Sequence, residues 1–124
     1  MSNIKGIGND IIEIARIENA IKKHGNAILN KIFTQREKNY CLKYGLPYQR
    51  FAGRFAAKEA ILKALGYGIS KNISWHDIEI LNDENGKPYV ILSEEVKKIF
   101  SNPDLFISIS HCINYAAAFA IATD

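Results

Sequence analysis

Charged side chains recur at helical spacing in the segment RFAAKEAILKALG, residues 54 to 66. On a helix, Glu59 and Lys63 share one face because they lie four residues apart, and Arg54 and Lys58 share another for the same reason. From the first of these residues to the last, the helix would rise about 13 Å. Such a helix could hold two separate phosphate groups with its cations and a metal ion with its carboxylate. The plain alternative is one helical ion pair, worth about 0.3 to 0.5 kcal/mol, and two solvated bases.

A second carboxylate, Asp10, lies in the segment GIGNDIIEIARI, at the predicted end of a glycine-containing strand. At such a position it could be exposed on rigid backbone and bind a metal ion. Alternatively, Asp10 and Glu13 form a capping box at the start of a helix, in which Asp10 only accepts backbone N–H bonds. The glycines do not match the dinucleotide-binding pattern GxGxxG, since Ile11 stands where its last glycine is required.

A histidine, His111, follows Ser110 in the segment SISHCINYAAA, in a predicted turn between two elements. It could bind an anion when protonated or move a proton near neutral pH, although a lone histidine is more often structural. Cys41 and Cys112 receive no catalytic role, because neither has an obvious activating neighbour beyond His111 beside Cys112.

These residues must be positioned by a mixture of helices and strands, which the spacing of the apolar residues predicts. Isoleucines at helical spacing, a Thr-x-x-Glu capping box, an Asn-Gly turn and alternating strand patterns mark the elements. In the first half, we predict a strand over 4–9, a helix after it, a capped helix from 34 to about 45 and a long helix from about 48 to 65. In the second half, we predict a hairpin of 77–81 and 88–92, a short helix from 93, a strand over 105–110 and a final strand or buried helix over 115–122. This order predicts the α+β class, in one domain spanning residues 1–124.

The composition is that of an ordinary folded protein, with 48% hydrophobic and 23% charged residues among 124. No apolar run approaches the ~20 residues of a membrane span, and the N-terminus lacks the apolar stretch of a signal peptide. We therefore expect a cytoplasmic protein that has no membrane partner. Residues 36–71 carry eight basic and two acidic side chains, whereas residues 77–104 carry three basic and seven acidic ones. The basic middle indicates an anionic partner, unless it is only a solvated helix face.

The segments GIGNDIIEIARI, FTQREKNYC, AGRFAAKEAILKALGYGI, DIEILNDENGKPYV and LFISISHCINYAAA occur in this order along the chain. Together they resemble the bacterial holo-acyl-carrier-protein synthase family, the small phosphopantetheinyl transferases. The resemblance covers nearly the whole chain. It implies the 4′-phosphopantetheinyl transferase fold, with a small antiparallel sheet and one long helix, assembled as a homotrimer with active sites at subunit interfaces. The implied reaction transfers 4′-phosphopantetheine from coenzyme A to a serine of apo acyl carrier protein in fatty acid biosynthesis, and releases adenosine 3′,5′-bisphosphate.

The resemblance also implies roles for individual residues. Mg²⁺ would be held by Asp10 and Glu59, since this ion prefers one or two carboxylates together with phosphate oxygens and water. The general base is left open between Glu59 and a metal-associated water, with Glu59 acting through water favoured, and Lys63 is the expected cation that stabilises charge at the pyrophosphate. The expected contacts to coenzyme A are Arg54, Lys58, Gly66, Ser110 and His111, with Gly68 and the turn 85–88 as further candidates.

Acyl carrier protein is small and acidic, so the expected docking surface for it is the basic part of the first helix, Arg16, Lys22 and Lys23. Two interpretations from other classes stay open. A nucleic-acid-binding module would explain the basic middle, but the chain has no aromatic or arginine-rich motif for reading RNA or DNA, so we expect no nucleic acid partner. A noncatalytic nucleotide-binding scaffold trimer would keep the anion-binding residues without needing both carboxylates. Within the enzyme class, a broad-specificity transferase for peptide or polyketide carriers is the alternative.

Overall fold

The computed structural model describes residues 3–43, 45–70 and 72–124 of the chain. Within these ranges, a three-stranded and a two-stranded antiparallel sheet pack around one long helix. The elements are β1 Ile4–Glu13, α1 Ile14–His24, α2 Asn26–Ile32, α3 Gln35–Lys43, α4 Pro47–Leu65, a 3₁₀ turn Trp75–Asp77, β2 Ile78–Asn82, β3 Pro88–Leu92, α5 Glu94–Ile99, β4 Asp104–His111 and β5 Tyr115–Thr123. The prediction of an α+β fold with a small antiparallel sheet and one long helix is confirmed.

The larger sheet has the order β1-β5-β4, so the last strand of the chain lies in its centre. This strand alternates small buried residues with more exposed ones, and its buried face consists of Ala116, Ala118, Ala120 and Ala122. Methyl side chains let α4 lie close to the sheet, because longer side chains would hold the two layers apart. Residues 115–122, for which the sequence left a strand or a buried helix open, therefore form a strand.

Glycines bring β1 directly onto the backbone of α4. A Cβ atom on Gly8 would lie 2.0 Å from the carbonyl oxygen of Ala60, and one on Gly6 would lie 1.9 Å from that of Ala64. No L side chain fits at such distances, so these glycines are required by close approach rather than by a turn. The strand that carries Asp10 is thereby fixed against the helix that carries Glu59.

The smaller sheet and α3 complete the other side of α4. As predicted, Thr34 and Glu37 form a capping box, with the Thr34 N–H donating to Glu37 Oε1 at 2.8 Å and the Glu37 N–H donating to Thr34 Oγ1 at 3.2 Å. The predicted hairpin is present as β2 and β3, joined by a turn that contains Gly86 at φ 83°. The N–H of Val96 donates to the Ser93 hydroxyl at 3.3 Å, which confirms the predicted cap of α5.

Two predictions about the N-terminal region are wrong. The first strand does not end near Asp10 but continues to Glu13, because β1 pairs with β5 as far as Tyr115. Asp10 is thus a mid-strand residue opposite Ala118, and the capping-box alternative is excluded, since α1 starts after Glu13 with no side-chain cap. The second error is an omission: α2 was not predicted, because its seven residues are too few to display a clear period.

The face of the larger sheet that points away from α4 is apolar and exposed. We call it the outer sheet face; its large apolar side chains include Ile7, Ile11, Phe106 and Phe119, which are 43 to 66% exposed. Cross-strand pairing places Ile7 and Phe106 in one row through Ile121. Within the part of the chain that the structure describes, none of the helices combines the length and apolar character of a membrane span.

Candidate active site

The two predicted carboxylates meet where β1 crosses the second half of α4. The ammonium of Lys63 lies 3.2 Å from Asp10 Oδ1 and also donates to the backbone carbonyl of Asn9 at 3.0 Å. Glu59 lies one turn before Lys63 on the helix. We call Asp10, Glu59 and Lys63 the carboxylate end of the site. The Lys63 side chain is 54% exposed and that of Asp10 19%, so this end is open to solvent.

The carboxylate end has unbalanced electrostatics. Partial burial raises the pKa of Glu59 above its ordinary value, the negative charge of Asp10 raises it further, and the positive charge of Lys63 opposes both. The two carboxylates are therefore close enough to repel each other, and one ammonium does not fully compensate them. A site of this kind favours an additional cation.

The donor set at this end fits a hard divalent cation that also binds substrate oxygens. No group of three or more His, Cys, Asp or Glu side chains with the arrangement of a metal site occurs among residues 3–43, 45–70 and 72–124. A closed site made only by protein ligands is therefore absent from these residues. Two carboxylates are nevertheless what Mg²⁺ commonly takes from a protein, since it fills its other positions with water and phosphate oxygens.

A separate cavity of about 210 Å³ lies beside the first half of α4. We call it the arginine cavity; its polar lining includes Arg50, Arg54, Asn82 and His111. The hairpin turn contributes Gly86 to the same lining. The structure thus brings the predicted residues Arg54 and His111 together, although they are far apart in the sequence, and it adds the hairpin to them.

The guanidinium of Arg54 is held tightly in this cavity. Arg54 is only 4% exposed, its guanidinium carbon lies 4.3 Å from the centre of the Tyr40 ring, and it donates a hydrogen bond to Asn82 Oδ1. Its Nε atom is buried without a hydrogen-bond partner in the described structure. A buried, uncompensated guanidinium is a strong site for an anion, since charge interactions are strengthened where water is excluded.

Lys58, predicted to contact coenzyme A, lies elsewhere. Its side chain is fully buried, and its ammonium donates to the Ile32 carbonyl at 2.7 Å, to Glu37 Oε1 at 2.8 Å and to the Trp75 carbonyl at 3.0 Å. An ammonium has three donors, and all three are used. The predicted contact of Lys58 with a phosphate is therefore wrong, because its ammonium binds protein groups of α2, α3 and the 3₁₀ turn instead. Burial lowers the pKa of Lys58, and the negative charge of Glu37 opposes that effect.

The ion pair of Lys58 and Glu37 lies one turn of α4 beyond the arginine cavity and forms a second layer beside it, which we call the lower layer. Glu37 also accepts the N–H of Ile80 at 2.9 Å, so one carboxylate connects α3, α4 and β2. Arg54 lies one helical turn before Lys58, Tyr40 one turn after Glu37, and Asn82 two residues after Ile80 on the same side of its strand. The same three elements therefore supply both layers, and the lower layer fixes the residues of the upper one.

Two more predicted contacts are not brought to the arginine cavity. Ser110 precedes His111 on a strand, so it points to the opposite face, where it lines a shallow cavity of about 310 Å³ together with Asn9 and Ile11. Gly66 adopts φ 71° and ends α4, with its N–H donating to the Lys63 carbonyl at 3.1 Å. Its backbone donor is therefore engaged in the helix cap.

The three basic residues predicted to recognise a protein partner are exposed on α1. Arg16 and Lys23 lie seven residues apart and share one face of the helix, whereas Lys22 points to another. The Lys22 ammonium lies 2.7 Å from a carboxylate oxygen of Glu18, which partly neutralises it. Arg16 and Lys23 are thus the more available positive charges of this surface.

Three residues of the arginine cavity, Arg50, Asn82 and Tyr40, are absent from the sequence-based predictions. Arg50 lines it and lies 5.6 Å from the Tyr40 ring centre, and its spacing of four from Arg54 is a signal that was present in the sequence. Asn82 and Tyr40 offered no such signal, because a single Asn at a strand end and a single Tyr in a helix are common in any protein. Only the packing of α3 and β2 on α4 places them at the guanidinium.

The chain is similar to known proteins over almost its entire length. The sequence model of the 4′-phosphopantetheinyl transferase superfamily matches residues 6–122. The holo-[acyl-carrier-protein] synthase of Protochlamydia amoebophila is 60% identical over 116 residues, which cover 94% of this chain and 95% of that protein. A holo-(acyl-carrier-protein) synthase from Bacillus anthracis, in complex with CoA (3′,5′-ADP), is 40% identical with a TM-score of 0.82, covering 98% of this chain and 97% of that one. The Helicobacter pylori holo-[acyl-carrier-protein] synthase in complex with coenzyme A is 37% identical with a TM-score of 0.85, covering 94% and 98%.

Proposed function

This chain belongs to the 4′-phosphopantetheinyl transferase superfamily, and we propose on that premise that it transfers 4′-phosphopantetheine from coenzyme A to a serine of apo acyl carrier protein, releasing adenosine 3′,5′-bisphosphate. The observation that carries the proposal is the placement of two anion- or metal-binding centres on one helix. Along the axis of α4, the carboxylate end lies about 8 to 13 Å beyond Arg54, and it projects from a different face of the helix. Coenzyme A carries a pyrophosphate and a separate 3′-phosphate, so it offers one anionic group to each type of centre, and the two centres that one molecule contacts can belong to neighbouring subunits of the proposed trimer.

Mg²⁺ is the proposed metal, held by Asp10 and Glu59. When bound, it would neutralise the pyrophosphate and polarise the phosphorus under attack. Lys63 lies beside both carboxylates and is placed to stabilise the negative charge that develops on the leaving oxygen. Arg54 and His111 are proposed to bind the 3′-phosphate, with Arg50 as an additional cation at the same cavity.

The chemical step exchanges one phosphorus–oxygen bond for another. The serine oxygen of the carrier forms a bond to the β-phosphorus of coenzyme A while the bond from that phosphorus to the adenosine 3′,5′-bisphosphate oxygen breaks. The serine proton passes through a water molecule to Glu59. A glutamate whose pKa is raised by burial and by Asp10 is a better proton acceptor than an ordinary one.

The acidic carrier protein is proposed to dock on α1. Arg16 and Lys23 share its exposed face, and Lys22 adds positive charge beside them. Long-range attraction to an acidic partner raises the rate of encounter and weakens when salt screens it. The carrier would then present its serine near the start of α1, which follows the strand that bears Asp10.

A homotrimer with active sites at subunit interfaces is also part of the proposal. The outer sheet face supports it, because several large exposed apolar side chains on one face are more typical of an interface than of a free surface. The strand β1 contributes Ile7 and Ile11 to that face and Asp10 to the opposite one, so a neighbouring subunit would lie next to the carboxylate end. The cytoplasmic location and the role in fatty acid biosynthesis remain predictions that follow from the reaction.

The decisive experiment is to mix the protein with apo acyl carrier protein, coenzyme A and Mg²⁺ and to weigh the carrier by mass spectrometry. We expect the carrier to gain the mass of one phosphopantetheine group, and to gain none when Mg²⁺ is chelated. An unchanged mass at full protein folding would overturn the proposed function. Binding of oligonucleotides in preference to coenzyme A would favour a nucleic-acid module instead.

Replacement of Arg54 by alanine tests the assignment of the arginine cavity. We expect the KM for coenzyme A to rise ~10-fold or more, because a buried charge contact to a phosphate is lost, while kcat at saturating coenzyme A falls much less. Steady-state kinetics with the carrier held constant separates the two effects. An unchanged KM would remove Arg54 from the coenzyme A site.

A further inference from the structure

Asn82 lines the arginine cavity and has no role in the function proposed so far. Its Oδ1 accepts a hydrogen bond from the guanidinium of Arg54, and its Nδ2 donates to the carbonyl of Gly86 at 2.9 Å. One amide therefore links α4 to the hairpin turn that lines the same cavity. The turn itself is held from within by Asp83, whose Oδ1 accepts the N–H groups of Asn85 and Lys87, each at 2.9 Å.

The charge of Arg54 has no counterion within the described ranges 3–43, 45–70 and 72–124. Its guanidinium forms no ion pair with a carboxylate there, and its Nε has no hydrogen-bond partner. The nearby Glu37 is fully engaged with Lys58, Thr34 and Ile80, so it does not neutralise Arg54. The side-chain oxygen that accepts a hydrogen bond from the guanidinium is the neutral amide oxygen of Asn82.

The amide at position 82 therefore meets two requirements that other side chains would not meet together. A carboxylate there would orient the guanidinium but neutralise it and repel an incoming phosphate. A methyl group would leave the charge free but remove both the hydrogen bond to Arg54 and the bond to the turn. An amide orients the guanidinium, holds the turn by a hydrogen bond and does not neutralise the positive charge that would bind the ligand.

We propose that Asn82 is a positioning residue that holds Arg54 and the Gly86 turn in place while keeping the buried guanidinium uncompensated for a phosphate of the nucleotide. The proposal rests on the proposed function, since it takes the nucleotide end of coenzyme A as the occupant of the cavity. It makes the binding strength depend on the neutrality of Asn82 and not only on its hydrogen bonds. A role that is only structural would not depend on that neutrality.

The test compares Asn82→Asp and Asn82→Ala, because both lose the bond to Gly86 but only the first adds a charge. Adenosine 3′,5′-bisphosphate is the probe, and its dissociation constant is measured by titration calorimetry. We expect Asn82→Asp to weaken binding by ~10-fold or more and Asn82→Ala by ~3-fold. The KM for coenzyme A should rise in the same order, while kcat at saturating coenzyme A stays within about threefold of wild type.

The matched control is Asn102→Asp, which adds the same charge at an exposed residue outside the arginine cavity. It should bind the probe within about twofold of wild type. Equal affinities for Asn82→Asp and Asn82→Ala, or an affinity of Asn82→Asp close to wild type, would overturn the proposal. If Asn82→Asp does not fold, an unchanged affinity of Asn82→Ala overturns it alone, and a ~3-fold loss at unchanged kcat supports it.

Failure of the proposed function would look different from failure of this proposal. A wild-type chain that binds no adenosine 3′,5′-bisphosphate and modifies no carrier protein would overturn both. A wild-type chain that binds the probe and modifies the carrier, with variants that do the same at equal strength, would overturn only the role of Asn82.

Discussion

Lys58 and Lys63 lie five residues apart on α4, but their environments are opposite: one side chain is buried and the other is exposed. Lys58 is fully buried, with three hydrogen bonds that join it to α2, α3 and the 3₁₀ turn. The Lys63 side chain is 54% exposed, and its ammonium contacts Asp10 and Asn9 of β1. The first lysine holds elements together, whereas the second is free to contact a ligand. Residue type and spacing alone predicted that both lysines bind phosphate groups, and only their different burial shows that their roles differ.

The difference extends to the regions around them. The layer formed by Lys58 and Glu37 consists of charges that are saturated by each other and by backbone groups, so it can only position other residues. At the carboxylate end, two acidic groups share one exposed ammonium, and burial together with Asp10 raises the pKa of Glu59. We therefore expect substitutions in the layer of Lys58 and Glu37 to lower stability, and substitutions at the carboxylate end to lower activity.

The largest effect is expected from Asp10→Asn and Glu59→Gln, which keep the shape of each side chain but remove a ligand charge. Turnover should fall by ~10²-fold or more, because metal-assisted charge neutralisation is lost, and excess Mg²⁺ should not restore it. The rate of phosphopantetheine transfer, measured by mass spectrometry, checks this. Circular dichroism and melting temperature should stay near wild type. The control is Glu95→Gln, an exposed carboxylate in the first turn of α5, and full activity in either test variant would contradict the assignment.

The next effect concerns stability and compares the two lysines directly. Lys58→Met should lower the free energy of unfolding by about 3 to 5 kcal/mol, because it leaves the buried Glu37 carboxylate without its partner. Lys63→Met should change it by less than about 1 kcal/mol, since its ion pair is exposed. Urea unfolding of the two variants under identical conditions measures both values. Equal losses would mean that the two regions do not differ as described.

A third substitution disturbs the contact that connects the two regions. Gly8→Ala places a Cβ atom where the Ala60 carbonyl oxygen lies 2.0 Å away, so β1 must move off α4. We expect a loss of about 1 to 3 kcal/mol in unfolding free energy and reduced activity, because Asp10 moves with the strand. Gly45→Ala is the control for stability, as no atom lies within 4 Å of its added Cβ. A Gly8→Ala variant as stable and active as wild type would contradict the close packing.

Much of the fold could be predicted because local signals agreed with the tertiary structure. The Thr34 to Glu37 capping box, the alanine-rich α4 and the Asn-Gly hairpin each follow from a short stretch of sequence. The first strand was predicted four residues too short, since Asp10 to Glu13 is compatible with a helix until its pairing with β5 is known. In the site, helical spacing predicted that Glu59 and Lys63 share a face, and the family resemblance predicted that Asp10 joins them. The burial of Lys58 could not be predicted, because its partners come from distant segments.

Glu79 gives a smaller effect with a distinct pH dependence. Burial favours its neutral form, but hydrogen bonds from Arg36 and Thr34 prevail and hold its pKa below the ordinary value. The stabilisation is therefore complete above the unfolded-state pKa of about 4.3 and is lost as the pH falls through the lower folded-state value. Glu79→Gln should cost about 1 kcal/mol at pH 7 and almost nothing at about pH 2, as measured by urea unfolding. A difference from wild type that does not change with pH would contradict this.

The smallest effect is expected on the exposed face of α1. Arg16→Gln combined with Lys23→Gln should raise the KM for acyl carrier protein about threefold at low salt and leave the KM for coenzyme A unchanged. The effect should shrink above about 0.5 M salt, where exposed charges are screened. Carrier titrations at two salt concentrations provide the measurement. A KM that is the same in wild type and variant at low salt would exclude this docking surface.

Binding of Mn²⁺, followed by electron paramagnetic resonance, tests whether Asp10 and Glu59 together bind one divalent cation, and it does so without depending on turnover. We expect the wild-type chain with bound coenzyme A to take up one Mn²⁺ per site, and Asp10→Asn and Glu59→Gln each to weaken this binding by ~10-fold or more. Mn²⁺ affinity equal to wild type in both variants would contradict this expectation.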